Sequence, residues 1–138
     1  MHPLYTARAT ATGDGRNGHT ATDDGRLALD VRVPEEMGGP GGATNPEQLF
    51  AAGYAACFHS ALKVVAAGEK VDVSGSEVRS RVSIGLLPGG AYGLGVALEV
   101  SVPDLDAATA ERLVAKAHEV CPYSNATRGN LDVELSVA

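Results

Sequence analysis

Hydrophobic and polar residues alternate along three runs near the start of the chain, and this pattern is typical of β-strands. Glycine-containing turns separate the runs, and the Asp23-Asp24-Gly25 turn is typical of a β-hairpin. The three runs are residues 4–12, 19–22 and 26–33. We therefore predict a three-stranded antiparallel meander in this part of the chain.

A helical pattern begins after a glycine-rich loop. Asn45 is a favourable N-cap, Pro46 suits the first helical position, and Gln48 completes a capping box with Asn45. Apolar residues continue up to Gly68, which is the predicted C-cap. Because the segment is apolar on nearly all sides as far as Lys63, we predict that this helix is buried at the centre of the fold.

The second half of the chain predicts two long strands, a helix and a final strand. Residues 71–87 and 91–102 are joined by the turn Pro88-Gly89-Gly90, which indicates a hairpin. The second helix is predicted over residues 107–119 and the last strand over residues 131–137. The predicted order is β-β-β-α-β-β-α-β, an α+β fold with mainly antiparallel sheets.

Composition narrows the class of protein. A length of 138 residues without an internal repeat predicts one domain over residues 1–138. The formal net charge of −6 argues against nucleic-acid binding, which depends on a basic surface. No signal peptide is predicted, and the longest apolar run, residues 49–58, is too short to cross a bilayer. We therefore expect a cytoplasmic protein that binds neither a membrane nor nucleic acid.

The two cysteines are the main candidates for chemistry. In a reducing cytosol, paired cysteines are more often catalytic or metal-binding than structural. Cys57 lies in the apolar helix, where a small packing residue is an equally good interpretation. Cys121 precedes Pro122, which stops a helix, and a polar, turn-prone segment follows, so we expect Cys121 to be mobile. These residues alone do not decide between a redox pair and two packing residues.

A metal site is not predicted. Cys121 follows His118 by three positions, a possible ligand spacing on a helix. Together with Cys57 this gives only three ligands, and no paired C-x-x-C motif is present.

Glu47 and Arg16 are candidate partners of the Cys57 thiol. Ten helical residues rise about 15 Å, so Glu47 reaches Cys57 only if the helix breaks, for which Gly53 is the natural position, or if the thiol belongs to a partner subunit. A carboxylate alone raises a thiol pKa, whereas an arginine lowers it. Spacing alone favours simpler roles, a helix-dipole glutamate and a solvated loop arginine.

Two long stretches resemble the organic hydroperoxide resistance proteins of the osmotically inducible protein C (OsmC) superfamily. They are TNPEQLFAAGYAACF at residues 44–58 and VCPYSNATRGN at residues 120–130, and the resemblance extends over essentially the full length. The early loop departs from that family's usual Gly-Gly-Arg-Asp-Gly. It reads GDGRNG at residues 13–18, is one residue longer and has Asn17 in place of aspartate.

The resemblance implies a cysteine-based thiol peroxidase that responds to oxidative stress. Cys57 matches the cysteine that attacks the peroxide, Cys121 the resolving cysteine that forms a disulfide with it, and Glu47 and Arg16 the active-site ion pair. A dihydrolipoyl group, on a lipoylated protein or as dihydrolipoamide, is the implied reductant. No metal, haem or flavin cofactor is implied.

The implied architecture is an intertwined homodimer, with antiparallel sheets packed around the central Cys57 helices. The glycine-rich loop at residues 38–42 would line the entrance for the substrate. Apolar walls from Leu49, Phe50 and Tyr123 would favour bulky organic hydroperoxides over hydrogen peroxide.

Three other functions remain compatible with the sequence. One is a relative with the same fold that prefers hydrogen peroxide. Another is a non-catalytic redox sensor or ligand-binding dimer, although no basic recognition helix is present. The last is a structural protein with two buried, inert cysteines.

Overall fold

The structure, a computed structural model, describes residues 1–138 and belongs to the α+β class. Its strands and α-helices are β1 Ala9–Thr12, β2 His19–Thr22, β3 Ala28–Asp30, α1 Pro46–Glu69, β4 Glu77–Leu86, β5 Tyr92–Ser101, α2 Ala107–Val120, α3 Pro122–Thr127 and β6 Val133–Val137. The predicted class is confirmed, and the predicted order lacks only α3. The chain forms two compact units, residues 1–49 and 50–138. A single domain over the whole chain stays a prediction.

The first unit contains the predicted antiparallel meander in the order β1-β2-β3. Its outer strands are shorter than predicted. Strand β1 begins at Ala9 instead of residue 4, and β3 covers only Ala28–Asp30 of the predicted residues 26–33. The four residues of β2 lie between two tight turns, so they leave few pairing positions for either neighbour. Beyond β3, the buried Val31 forms a parallel bridge with Thr44.

Helix α1 begins as the sequence predicts. The backbone N–H of Gln48 donates to Asn45 Oδ1 at 2.9 Å, which confirms Asn45 as the N-cap. The Gln48 side chain, however, accepts a hydrogen bond from the Thr44 hydroxyl at 2.9 Å. The predicted capping box therefore forms only its first half.

The end of α1 differs from the prediction. The helix continues through Gly68 to Glu69, and Lys70 adopts the left-handed conformation with φ 58°. The N–H of Val71 donates to the carbonyl of Ala66 at 2.9 Å and the N–H of Lys70 to that of Ala67 at 3.2 Å. This is a Schellman motif with lysine at the position that usually holds glycine.

The second unit contains the sheet β4-β5-β6 and most of α1. Strands β4 and β5 form the predicted hairpin, and β6 pairs with β5 in parallel. Val96, Leu98 and Val100 on one face of β5 are buried together with the inner faces of α1 and α2. Helix α2 is capped by Asp106, whose carboxylate accepts the N–H of Thr109 at 2.9 Å. The buried residues of β5, α1 and α2 form a hydrophobic core that includes Cys121 and against which Cys57 packs.

Only one face of α1 is buried within a single chain, in contrast to the predicted all-round burial. The buried residues are Tyr54, Phe58, Ala61, Leu62 and Ala66. The opposite face is exposed and carries mainly small residues together with one lysine, namely Ala52, Ala56, Ser60, Lys63, Val64 and Ala67. By length and composition alone, α1 is long and apolar enough to span a membrane. An 18-residue stretch of it has a mean hydropathy of 1.4, and 28% of that stretch is buried inside the chain. A large apolar surface on α1 is therefore left uncovered.

Helix α3 was not predicted, because its residues favour turns. Pro122 occupies its first position, and Ser124 and Thr127 are buried. Cys121 connects α2 to α3: its N–H donates to Ala117 O and its carbonyl accepts the N–H of Asn125, both at 2.9 Å. Cys121 thus lies at a helix–helix junction with both backbone polar groups hydrogen-bonded, and its mobility stays a prediction.

The cap of α1 provides a test of local backbone strain. Replacing Lys70 with glycine is expected to raise the free energy of unfolding by about 1 kcal/mol, because glycine adopts positive φ without a Cβ clash. Chemical denaturation measures the change. Lys70→Ala is the matched control, since it removes the charge and keeps the Cβ. An equal gain in both variants would contradict the explanation.

Candidate active site

The structure places the two cysteines next to each other. Cys57 Sγ in α1 lies 3.6 Å from Cys121 Sγ, which is completely buried at the α2–α3 junction. Both are free thiols. A disulfide requires about 2.05 Å, so the sulfurs need to approach by only about 1.5 Å to form one.

The pKa of Cys57 is raised within the chain. Burial is the main cause, because it disfavours the thiolate, and the neighbouring Cys121 thiol raises the pKa further. The backbone N–H of Tyr123 at the start of α3 acts in the opposite direction but does not reverse the shift. A positive charge near its sulfur would lower this pKa and favour the thiolate.

Arg16 and Glu47 form a bidentate ion pair in the first unit. Arg16 Nη1 and Nη2 donate to the two carboxylate oxygens of Glu47, both at 2.8 Å. The Glu47 side chain is 12% exposed and that of Arg16 39%. The hydrogen bonds from Arg16 lower the pKa of Glu47, and its own helix N–H contributes in the same direction. The pair is therefore ionised at neutral pH.

The loop that carries Arg16 is held in place by its neighbours. Arg32 Nη1 donates to the carbonyls of Asn17 and Gly18 at 3.1 and 3.0 Å. Asn17 Oδ1 accepts the N–H of Val33 at 3.0 Å. A Cβ at Gly18 would lie 2.2 Å from the carbonyl oxygen of Thr12, so only glycine fits there. The unusual Asn17 thus anchors the loop through its side-chain oxygen.

Gly53 does not break helix α1, although the sequence suggested it as the natural position for a break. The helix is continuous from Pro46 to Glu69. Gly53 instead leaves room for the ring of Tyr123, whose Oη would lie 3.1 Å from an added Cβ. The break that would bring Glu47 to the thiol along its own helix is therefore absent.

An apolar cavity of about 560 Å³ lies in the second unit. It is lined by Phe50, Leu87, Tyr92, Gly93, Leu94, Tyr123, Ala126, Thr127, Asn130 and Leu131. Tyr123 lies both in the wall of this cavity and next to the thiol pair, since its backbone N–H hydrogen-bonds to Cys57. Of the three walls predicted from the sequence, Phe50 and Tyr123 line this cavity and Leu49 does not.

A buried polar cluster, which sequence reasoning missed, lies beside the cysteines. Tyr54 Oη is 3.0 Å from Ser124 Oγ and 3.2 Å from Thr127 Oγ1, and His118 Nδ1 is 2.9 Å from Ser124 Oγ. We refer to these four residues as the Tyr54 cluster. Burial, followed by the positive charge of Arg128, lowers the pKa of His118, so the imidazole is neutral at pH 7. The only hint in the sequence was Tyr54, one helical turn before Cys57.

The two histidines nearest to the cysteines in sequence, His59 and His118, have hydrogen-bond partners of their own. His118 bonds to Ser124, and His59 Nε2 lies 3.0 Å from Ser76 Oγ. No group of three or more His, Cys, Asp or Glu side chains is placed to hold a metal ion.

Comparison with known proteins identifies the class. Residues 39–136 match the family model described as OsmC-like protein. An organic hydroperoxide resistance protein of Xanthomonas axonopodis pv. citri (strain 306) is 56% identical over 137 residues, which cover 98% of this chain and 95% of that protein. The chain therefore belongs to the OsmC-like family.

Solved structures agree with this assignment. A crystal structure of an organic hydroperoxide resistance protein from Legionella pneumophila has a TM-score of 0.95 at 57% identity, covering 99% of each chain. The structure of OhrB from Bacillus subtilis has a TM-score of 0.90 at 47% identity, covering 99% of this chain and 100% of that one. The resemblance to the organic hydroperoxide resistance proteins, noted from the sequence, is confirmed.

The Arg16–Glu47 pair predicts a pH-dependent contribution to stability. Because the folded-state pKa of Glu47 is lowered, the pair stabilises the fold above the ordinary carboxyl pKa of about 4.3. That contribution is lost as the pH falls through the lowered folded-state value. Glu47→Gln is expected to cost about 1 kcal/mol at pH 7, since Arg16 is partly exposed, and the difference should shrink as the pH falls below about 4.3.

Denaturation of both proteins between pH 7 and pH 3 measures this difference. Glu36→Gln, at an exposed position in the same unit, is the control and should follow the wild type throughout. A Glu47→Gln difference that persists unchanged at pH 3 would show that the ion pair is not its cause.

Proposed function

We propose that this protein is a cytoplasmic, homodimeric thiol peroxidase that reduces organic hydroperoxides to alcohols as part of the response to oxidative stress. The observation that carries the proposal is the separation of 3.6 Å between the sulfurs of Cys57 and Cys121. The substrate class follows from the names of the relatives, which are organic hydroperoxide resistance proteins.

The thiol pair accounts for the proposed reaction. The Cys57 thiolate attacks the O–O bond of the hydroperoxide, the alkoxide leaves and takes up a proton, and Cys57 becomes a sulfenic acid. The Cys121 thiol then forms an S–S bond with Cys57, and the sulfenic oxygen leaves as water. A dihydrolipoyl dithiol reduces this disulfide and is itself oxidised to the lipoyl disulfide. All of these steps take place on sulfur, so the proposed cycle uses no metal or organic cofactor.

The cation that Cys57 needs is proposed to come from the partner subunit. Burial raises the Cys57 pKa, and Arg16 is held in a bidentate pair by Glu47. Because α1 is unbroken, Glu47 lies about 15 Å along the axis from Cys57 of its own chain. We therefore assign Arg16 and Glu47 of one subunit to the active site that contains Cys57 of the other.

The exposed face of α1 supports a dimer built around this helix. Its small side chains allow two helices to approach closely, since the interaxial distance depends on the residues at the contact. Val64 on this face is 68% exposed in the single chain. Covering such an apolar stripe with a second copy would remove it from water, which favours association.

The apolar cavity is the proposed site for the organic part of the substrate. Its aromatic and aliphatic walls provide contacts that hydrogen peroxide, which has no carbon atoms, does not use. Tyr123 links this cavity to the sulfur of Cys57. Bulky hydroperoxides are therefore expected to react faster than hydrogen peroxide.

Cysteine variants test the proposed reaction. Cys57→Ser is expected to abolish consumption of cumene hydroperoxide with dihydrolipoamide as reductant, because the attacking sulfur is lost. Cys121→Ser is expected to leave the first step intact and to accumulate sulfinic acid at Cys57. In the wild type, mass spectrometry should show the loss of two hydrogens, mapped to a Cys57–Cys121 bond within one chain. Unchanged turnover in Cys57→Ser, or faster turnover of hydrogen peroxide by the wild type, would refute the proposal.

Mixed dimers test the assignment of Arg16. A dimer with Cys57→Ser in one chain and Arg16→Ala in the other should retain one complete site if arginine acts across the interface. A dimer with both changes in one chain and a wild-type partner should then be nearly inactive. Dimers purified with two different affinity tags allow this comparison. The reverse order of activities would place Arg16 beside the Cys57 of its own chain.

A further inference from the structure

The hydrogen bonds of the Tyr54 cluster run in a single direction. The Thr127 hydroxyl donates to the carbonyl of Ser124 at 3.2 Å, so Thr127 Oγ1 accepts its bond from Tyr54. With one donated and one accepted bond at each hydroxyl, the Tyr54 oxygen accepts from the Ser124 hydroxyl, and Ser124 accepts from His118 Nδ1, which then carries the proton. The Tyr54 hydroxyl is the central group of this series of hydrogen bonds.

The three hydroxyl groups of the cluster are buried, His118 is partly exposed, and the four residues join three helices. Tyr54 in α1 and Ser124 in α3 are completely buried, and Thr127 in α3 is 7% exposed. His118 belongs to the last turn of α2. An unpaired hydroxyl in such surroundings is costly, so the cluster favours one arrangement of the three helices.

The stability of helix α3 depends on buried hydrogen bonds from its side chains to other helices. It has six residues and no side-chain N-cap, and a helix of that length is not stable by itself. Its two buried polar side chains, Ser124 and Thr127, both bond to Tyr54. Cys121 immediately precedes α3, and its carbonyl accepts the N–H of Asn125 in that helix. The position of the Cys121 sulfur is therefore connected to α1 through α3 and the Tyr54 hydroxyl.

We propose that Tyr54 is a positioning residue for the resolving step: its hydroxyl holds α3 so that Cys121 lies within reach of the Cys57 sulfenic acid. This proposal rests on the proposed function, because it concerns the disulfide step of that cycle. The competing reaction is attack of a second hydroperoxide on the sulfenic acid, which gives sulfinic acid at Cys57 and one more alcohol. A well-placed Cys121 favours the disulfide over the sulfinic acid.

The test uses Tyr54→Phe in the full-length protein, which removes one oxygen and keeps the ring. The protein is treated with increasing excess of tert-butyl hydroperoxide, and mass spectrometry gives the fractions of disulfide and of sulfinic acid at Cys57. Loss of one buried hydrogen bond corresponds to about a fivefold change in an equilibrium. The variant is therefore expected to reach half conversion to sulfinic acid at about fivefold lower peroxide excess than the wild type.

Ser124→Ala is the second variant, since it removes the neighbouring hydroxyl of the same hydrogen-bonded cluster. It is expected to change the ratio of disulfide to sulfinic acid in the same direction. Val102→Ala is the matched control for stability, because Val102 is buried in the same core but outside the cluster. It should lower the unfolding midpoint and leave the product ratio unchanged.

The outcomes separate the two proposals. If the wild type forms no disulfide, the proposed function fails. If the wild type forms the disulfide and both cluster variants give its product ratio, the positioning role of Tyr54 is refuted. An equal shift in Val102→Ala would also refute it, since general loosening would then explain the effect.

Discussion

Helix α1 runs without interruption from Pro46 to Glu69, and the arrangement of the reactive groups depends on this continuity. It fixes Cys57 against the buried Cys121 at 3.6 Å, because the inner face of the helix is packed in the core of the second unit. Its first turn carries Glu47, which pairs with Arg16 in the first unit. One helix thus contributes both to the ion pair of the first unit and to the thiol pair of the second.

The surroundings of Cys57 favour a bond to Cys121 more than ionisation of the Cys57 thiol. Burial raises the thiol pKa, and Cys121 lies close enough for a disulfide after a small shift. The Tyr54 cluster adds a polar connection from α1 to the helix that follows Cys121. In the proposed homodimer, a second copy would cover the exposed face of α1, and its Arg16 would supply a cation for the thiolate.

Several features were predictable because they depend on local chemistry. The Asn45 cap, the hairpin at Pro88-Gly89-Gly90 and the strand pattern all follow from neighbouring residues. The errors have tertiary causes. Helix α3 forms from turn-prone residues because Ser124 and Thr127 find a buried partner in Tyr54, which is 70 or more positions away. The left-handed cap falls on Lys70, two positions after the predicted Gly68, because the helix extends to Glu69.

The α+β class, the candidate residues and the resemblance to the organic hydroperoxide resistance proteins could be read from the sequence, since they depend on periodicity and on contiguous motifs. Which groups meet became clear only from the folded chain. It placed Cys57 beside Cys121, paired Arg16 with Glu47, and showed that Gly53 accommodates the Tyr123 ring inside an unbroken helix. The physical reason is that contacts between residues distant in the chain depend on packing, which a pattern along the chain does not contain.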